Sequence, residues 1–267
     1  MDQLSRAQAE LREMDALAAV NSPVHRLHPL CKLIVTIFYI IMVVSFRKYD
    51  FSRLVFMVLY PVVMFQIAKI PVRVCFHKLR IVLPLVCAVG LVNPFLDHMP
   101  LLRLGNIVIT GGMVSMLTLM MKGVFALMAS FLLIATTSID LLCAALRKLH
   151  IPSMITTLLL LTYRYIGVML DEASVMSQAY SLRAPKQKGI HISVWGSFLG
   201  QLLLRSMDKA EELYNSMLLR GFSGDFFYAD TPSVKMAGIS FTVLCCGIFL
   251  VARLFDIPTL LGSLFVR

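Results

Sequence analysis

Five apolar runs dominate this chain: Leu33–Phe46, Phe51–Ala68, Ile81–Phe95, Gly111–Ile139 and Val234–Leu254. Runs of about 17–25 apolar residues can cross a hydrocarbon core of roughly 30 Å. Inside that core a backbone must satisfy its own polar groups, and a helix does so within one segment. A β-barrel would instead show repeated alternation over about ten residues, and the sequence has none. Composition agrees: of 267 residues 58% are hydrophobic and 15% charged, where a soluble domain carries about a quarter charged. The expected fold class is an all-α, polytopic helical membrane protein.

The net charge of +10 would point to nucleic acid in a soluble chain. Here Lys and Arg lie mostly between the apolar runs, where the positive-inside bias and anionic headgroups account for them. No helix-turn-helix or RNA-binding signature supports a nucleic-acid partner. The six cysteines form no CxxC pair and read as small buried hydrophobes. The methionines scattered through the runs read as adaptable packing. Residues 1–20 are polar and helix-prone, unlike a signal peptide with its early apolar region.

Between the runs, residues 21–32 form a turn-rich leading loop, and 69–80 an interfacial amphipathic segment on the cytoplasmic face. Residues 96–110 hold one cation, Arg103, and read as an external loop. Lys122 falls inside the fourth run, where it must snorkel or face protein. Asp140–His150 reads as a short amphipathic helix. From Ser153 a helical pattern begins apolar, ends polar and stops before Pro185. A basic connector, 185–191, leads to a second polar helix over Ile192–Arg220, ended by Gly221. Leu203, Met207, Ala210, Tyr214 and Met217 recur along it at helical spacing, as a stripe for a partner helix. Three regions follow: membrane spans over 1–170, two long cytoplasmic helices over 171–232, and a terminal span over 233–267.

The stretch 171–232 carries the functional signal. Two long helices too polar to span interrupt a membrane protein, and each ends in a short arginine-bearing turn, Ser181-Leu182-Arg183-Ala184 and Leu219-Arg220-Gly221-Phe222. One arginine at a helix C-terminus is ordinary dipole complementation. Two, at the ends of consecutive polar helices, form a pattern. Before the first run stands Ser22-Pro23-Val24-His25-Arg26-Leu27-His28-Pro29, followed by Lys32. Together these resemble the transmembrane T component of energy-coupling factor transporters. The stretch Leu203–Gly224 is most similar to the cobalt-type member, CbiQ. His28 stands where that family usually has Asp, and Ala184 where Gly is common.

The resemblance implies a multi-pass protein of a bacterial or archaeal plasma membrane, coupling an ATPase to uptake. Its partners would be two ATP-binding cassette ATPase subunits and a substrate-binding membrane subunit. The ATPase-coupling residues would be Leu182, Arg183, Ala184, Leu219, Arg220, Gly221 and Phe222. The chain itself would be non-catalytic, needing no cofactor or resident metal. It lacks GxxxxGK[ST], GxSxG and HExxH, so neither nucleotide hydrolysis nor those catalytic frames is expected here. His25 and His28 are read as loop residues rather than metal ligands. An integral-membrane enzyme acting on lipid phosphate would need an acid, base or metal cluster at the surface, and a non-transport scaffold is the third reading. The resemblance puts cobalt first as cargo, with nickel close behind and a vitamin as a further alternative.

Overall fold

The computed structural model describes residues 3–20, 22–48, 50–80, 82–91, 93, 100–104, 107–184, 189–224 and 236–254, with backbone alone for 3, 52 and the strand residues. Its helices are α1 (Gln3–Ala18), α2 (Pro29–Ser45), α3 (Phe51–Phe56), α4 (Leu59–Ala68), α5 (Val72–Leu79), α6 (Leu83–Leu91), α7 (Gly111–Thr136), α8 (Ile139–Lys148), α9 (Ser153–Arg183), α10 (Trp195–Leu219) and α11 (Met236–Leu254). A 3₁₀ turn, Ile192–Val194, leads into α10. The class is the expected all-α polytopic membrane protein, with one addition. Within the stretch read as an external loop, β1 (Pro100–Leu104) and β2 (Ile107–Thr110) form an antiparallel hairpin, Leu104 opposite Ile107.

Among the described residues, α7, α9 and α11 are long and apolar enough to cross a membrane, and a fourth span exists if a bent pair counts as one. That pair, Arg53–Ala68 and Val72–Leu79, is bent by 117°. The bend sits where Lys69 adopts a left-handed φ of 57° ahead of Pro71. Among the described residues of the run Ile81–Phe95, helix covers Leu83–Leu91 and residue 93. The 17 residues of α2 rise about 25 Å, short of a full core. Much of the expected connector 185–191 and of the loop after Phe222 lies outside the described residues, as does the start of the last run.

The chain divides into two compact units, Leu17–Thr137 with Pro232–Arg267, and Met1–Ala16 with Ser138–Thr231. In the first, α2 packs against α7 and α11. Val35, Tyr39 and Val43 of α2 meet Phe125 and Ala129 of α7 and Phe249 of α11 in one buried cluster. Tyr39, Tyr60 and Phe249 form its aromatic centre, with ring centroids 4.7–5.2 Å apart. Glycines bring α6 onto α7: a Cβ at Gly123 would stand 2.4 Å from Val86 Cγ1, the close approach that small residues allow between membrane helices.

Pro61, inside the second apolar run, acts one turn before its own position. Lacking an N–H, it cannot bond the Met57 carbonyl, and the helix breaks between α3 and α4. The Tyr39 hydroxyl donates to that carbonyl at 2.8 Å. An aromatic core residue thereby satisfies the acceptor that the proline strands, which an apolar solvent requires.

In the second unit α9 is one helix of 31 residues. Polar contacts tie it to its neighbours: Gln8 of α1 to Asp171, Tyr163 to Asp15 of α1 at 2.6 Å, and Arg164 to Asp140 of α8 at 3.2 Å. Glu172 of α9 pairs with Arg205 of α10.

Candidate functional site

The two arginine-bearing turns lie at the C-termini of α9 and α10, as the sequence reading places them. Measured along the helices from the Glu172–Arg205 ion pair, Arg183 lies about 16 Å away and Arg220 about 22 Å. Both arginines are exposed, and neither has an ion-pair partner among the described residues. The leucines beside them are more exposed still, Leu182 at 83% and Leu219 at 90%. Ala184 and Phe222 are half-buried, and Gly221 is exposed. An apolar and a cationic group therefore stand side by side at each tip.

The turns differ in backbone. At the second, Gly221 has φ +80°. Its N–H bonds the Leu218 carbonyl at 3.0 Å, and the Phe222 N–H bonds Met217 at 3.0 Å. This is a Schellman cap, and its left-handed residue explains the glycine. At the first, Ala184 keeps a negative φ of −129° and its N–H reaches back to Tyr180. Alanine suffices because that position asks for no left-handed backbone.

Apart from Met217, the stripe expected to face a partner helix is uncovered among the described residues. Leu203, Met207 and Tyr214 are more than half exposed. The half-buried face is Leu202, Ser206, Leu213 and Met217, rotated by about one residue from the face the spacing suggests.

The leading loop forms a polar knot in the other unit. Ser22 Oγ lies 2.7 Å from His25 Nδ1, and His25 Nε2 lies 3.1 Å from the Leu17 carbonyl and 3.3 Å from Ala135. Carbonyls only accept, so Nε2 carries the proton and Nδ1 accepts from Ser22. Lys32, 4% exposed, donates to the Thr136 carbonyl at 2.6 Å and is 3.5 Å from that of His25. His25 and Lys32 thus cap the C-terminus of α7, whose last carbonyls lack helical donors. His28 caps the N-terminus of α2, its Nδ1 accepting from the Leu30 N–H at 3.1 Å. That is the work an Asp does at an N-cap, so the departure at residue 28 keeps the bond. Both rings thus serve backbone groups, and among the described residues no three or more His, Cys, Asp or Glu are grouped as metal ligands.

Burial pushes His25 below its ordinary value of 6.5, opposed by its two carbonyl partners and reinforced by Lys32. The folded value is therefore below the unfolded one. Stability is full above about 6.5 and lost as pH falls toward the folded value. The thermal midpoint in detergent is expected to drop over that acid range, and His25→Gln to flatten the slope. An unchanged slope would assign the acid sensitivity elsewhere.

Lys122 has a matching role. Its Nζ donates to the carbonyls of Val44 at 3.1 Å and Phe46 at 2.5 Å. Arg253 donates to Ser45 at 3.0 Å with its guanidinium 4.8 Å over the Phe46 ring. These two cations cap α2. Lys122 thus faces protein, one of the two outcomes the sequence allows. The sequence reading passes over Arg253, hidden near the end of an apolar run.

The family model for cobalt transport proteins matches residues 20–229, a span that takes in the leading loop and both helix tips. An uncharacterized protein of Methanocaldococcus jannaschii is 25% identical over 148 residues, or 54% of this chain and 50% of the relative. The chain thus spans about half the length of the curated relative it matches. The family match runs through most of the chain and accords with its polytopic helical fold: the chain belongs to the cobalt transport protein family, CbiQ.

Proposed function

We propose that this chain is the transmembrane coupling subunit of an energy-coupling-factor-type uptake transporter in the plasma membrane, with cobalt as cargo. Membership in a cobalt transport family makes it a membrane component of a transporter. The observation that carries the finer reading is the pair of exposed tips, each with a leucine and an arginine that has no ion-pair partner among the described residues, at the end of a long helix. Leu182, Arg183 and Ala184 form one docking tip, and Leu219, Arg220, Gly221 and Phe222 the other. Each arginine offers a planar fork to a carboxylate in an ATPase groove, and each leucine an apolar anchor.

ATP hydrolysis belongs to the two ATPase subunits, and cargo recognition to a separate membrane subunit. Closure of the ATPase pair would displace the tips, and α9 and α10, joined at Glu172 and Arg205, would pass that displacement on as rigid rods. Co-expression with candidate ATPase and substrate-binding subunits tests this. Capture of both ATPases and ATP-dependent cobalt uptake in vesicles are expected. Uptake that proceeds with this chain omitted would refute the coupling role, while uptake of nickel or a vitamin alone would refute only the cargo.

A further inference from the structure

A groove of about 740 Å³ runs between α3–α4 and α11. Its walls are apolar: Phe56, Tyr60 and Ile67 on one side, Leu244, Gly247 and Val251 on the other. Along α11 it reaches from Phe241 to Ala252, about 16 Å of helix. That is close to half of a roughly 30 Å core, the depth of one leaflet. Its volume falls in the ordinary range for ligand sites.

One end of the groove is cationic. Arg253 follows Ala252, and Arg53 precedes Phe56 by one turn. Lys122 and Arg253 converge on the consecutive carbonyls of Val44, Ser45 and Phe46 at the C-terminal end of α2, so they lie close together. Neither has a carboxylate partner among the described residues. Arg47 and Lys48 are exposed just beyond, and Asp50 is the one acid between residues 44 and 57. Carbonyls satisfy the hydrogen bonds of both cations; Asp50 lies within electrostatic range of Lys122, but the charge of Arg253 has no carboxylate beside it among the described residues, which is costly next to hydrocarbon.

We propose that this groove binds an anionic phospholipid, with one acyl chain between α3–α4 and α11 and the phosphate against Arg253. The groove then takes a chain as long as one leaflet is deep. The phosphate supplies the missing counter-charge, and the guanidinium of Arg253 can grip two of its oxygens. An apolar helix of a partner subunit would fill the groove but leave that charge uncompensated.

The test uses the full chain in phosphatidylcholine bilayers carrying a minority of phosphatidylglycerol, followed by native mass spectrometry in mild detergent. Selective retention of phosphatidylglycerol is expected. Arg253→Gln should lower retention about fivefold. Gly247→Phe is the steric test, because a Cβ at Gly247 meets nothing within 4 Å. It should expel the lipid while helix content and thermal midpoint hold. Retention of phosphatidylcholine equal to phosphatidylglycerol would overturn the proposal. So would undiminished retention by Gly247→Phe, or cross-linking of Ile248→Cys to a partner's helix in the assembled transporter.

Discussion

Arg183→Glu combined with Arg220→Glu is expected to abolish ATPase capture and ATP-driven uptake while leaving the chain folded. Removing one member of a desolvated, hydrogen-bonded charge pair at an interface costs about 2–5 kcal/mol. Reversal adds repulsion from the carboxylate that had been paired. Two such losses exceed about 4 kcal/mol, on the order of a thousandfold in affinity. The cost within the chain is small by comparison. Both guanidinia are exposed and make no ion pair among the described residues, so each contributes only a helix-terminus interaction of about 0.3–1 kcal/mol. Helix content and thermal midpoint should therefore stay near wild type. Lysine at both positions should give an intermediate affinity, keeping the charge and losing the planar fork. Gly221→Val supplies an independent check. It forces a β-branched residue to φ +80° at about 1–2 kcal/mol and redirects Phe222 without altering charge. Full ATP-driven uptake by the double Glu variant would end the coupling proposal.

The tips were legible in the sequence because each depends on local features: a long helical pattern, a terminal arginine, and a glycine or proline stop. The Schellman cap at Gly221 follows from Leu219-Arg220-Gly221 alone. The hairpin was also written locally, with Leu101–Leu104 and Ile107–Thr110 flanking Gly105-Asn106. Two residues of that kind between apolar runs are a hairpin signal, but its cation count drew the stretch into the reading of a loop. The covered face of α10 was missed by one residue because apolar spacing marks a stripe, and the stripe here, apart from Met217, is open among the described residues. The roles of Lys32, Lys122 and Arg253 were not legible in one dimension. Each caps a helix far away in sequence, Lys32 reaching Thr136 and Arg253 reaching Ser45. Spacing along the chain carries no trace of such a bond.

Those caps support the second large prediction: Lys32→Met should destabilise the chain by about 2 kcal/mol or more, and Lys122→Met by a comparable amount. The helices α2 and α7 run antiparallel, since Lys32 at the start of α2 meets the end of α7 and Lys122 meets the end of α2. Each helix thus contributes a lysine to the other's negative C-terminus. Methionine keeps much of the apolar stem and removes the donors, leaving the Thr136 carbonyl without its 2.6 Å partner. A buried acceptor left unpaired costs about 1–3 kcal/mol, and in lipid no water relieves it. Relief of the lysine's own desolvation opposes this. The net sign favours loss because the carbonyls remain after the lysine has gone. The two caps stand about 18 Å apart along α2, beyond the range at which substitutions couple, so the double variant should show the sum within about 0.5 kcal/mol. Unfolding in detergent measures all three, with Lys32→Arg and Lys122→Arg recovering most of the loss. A Lys32→Met variant as stable as wild type would mean that other groups close the end of α7, and the bracketed pair would then be a consequence of packing rather than a cause of it.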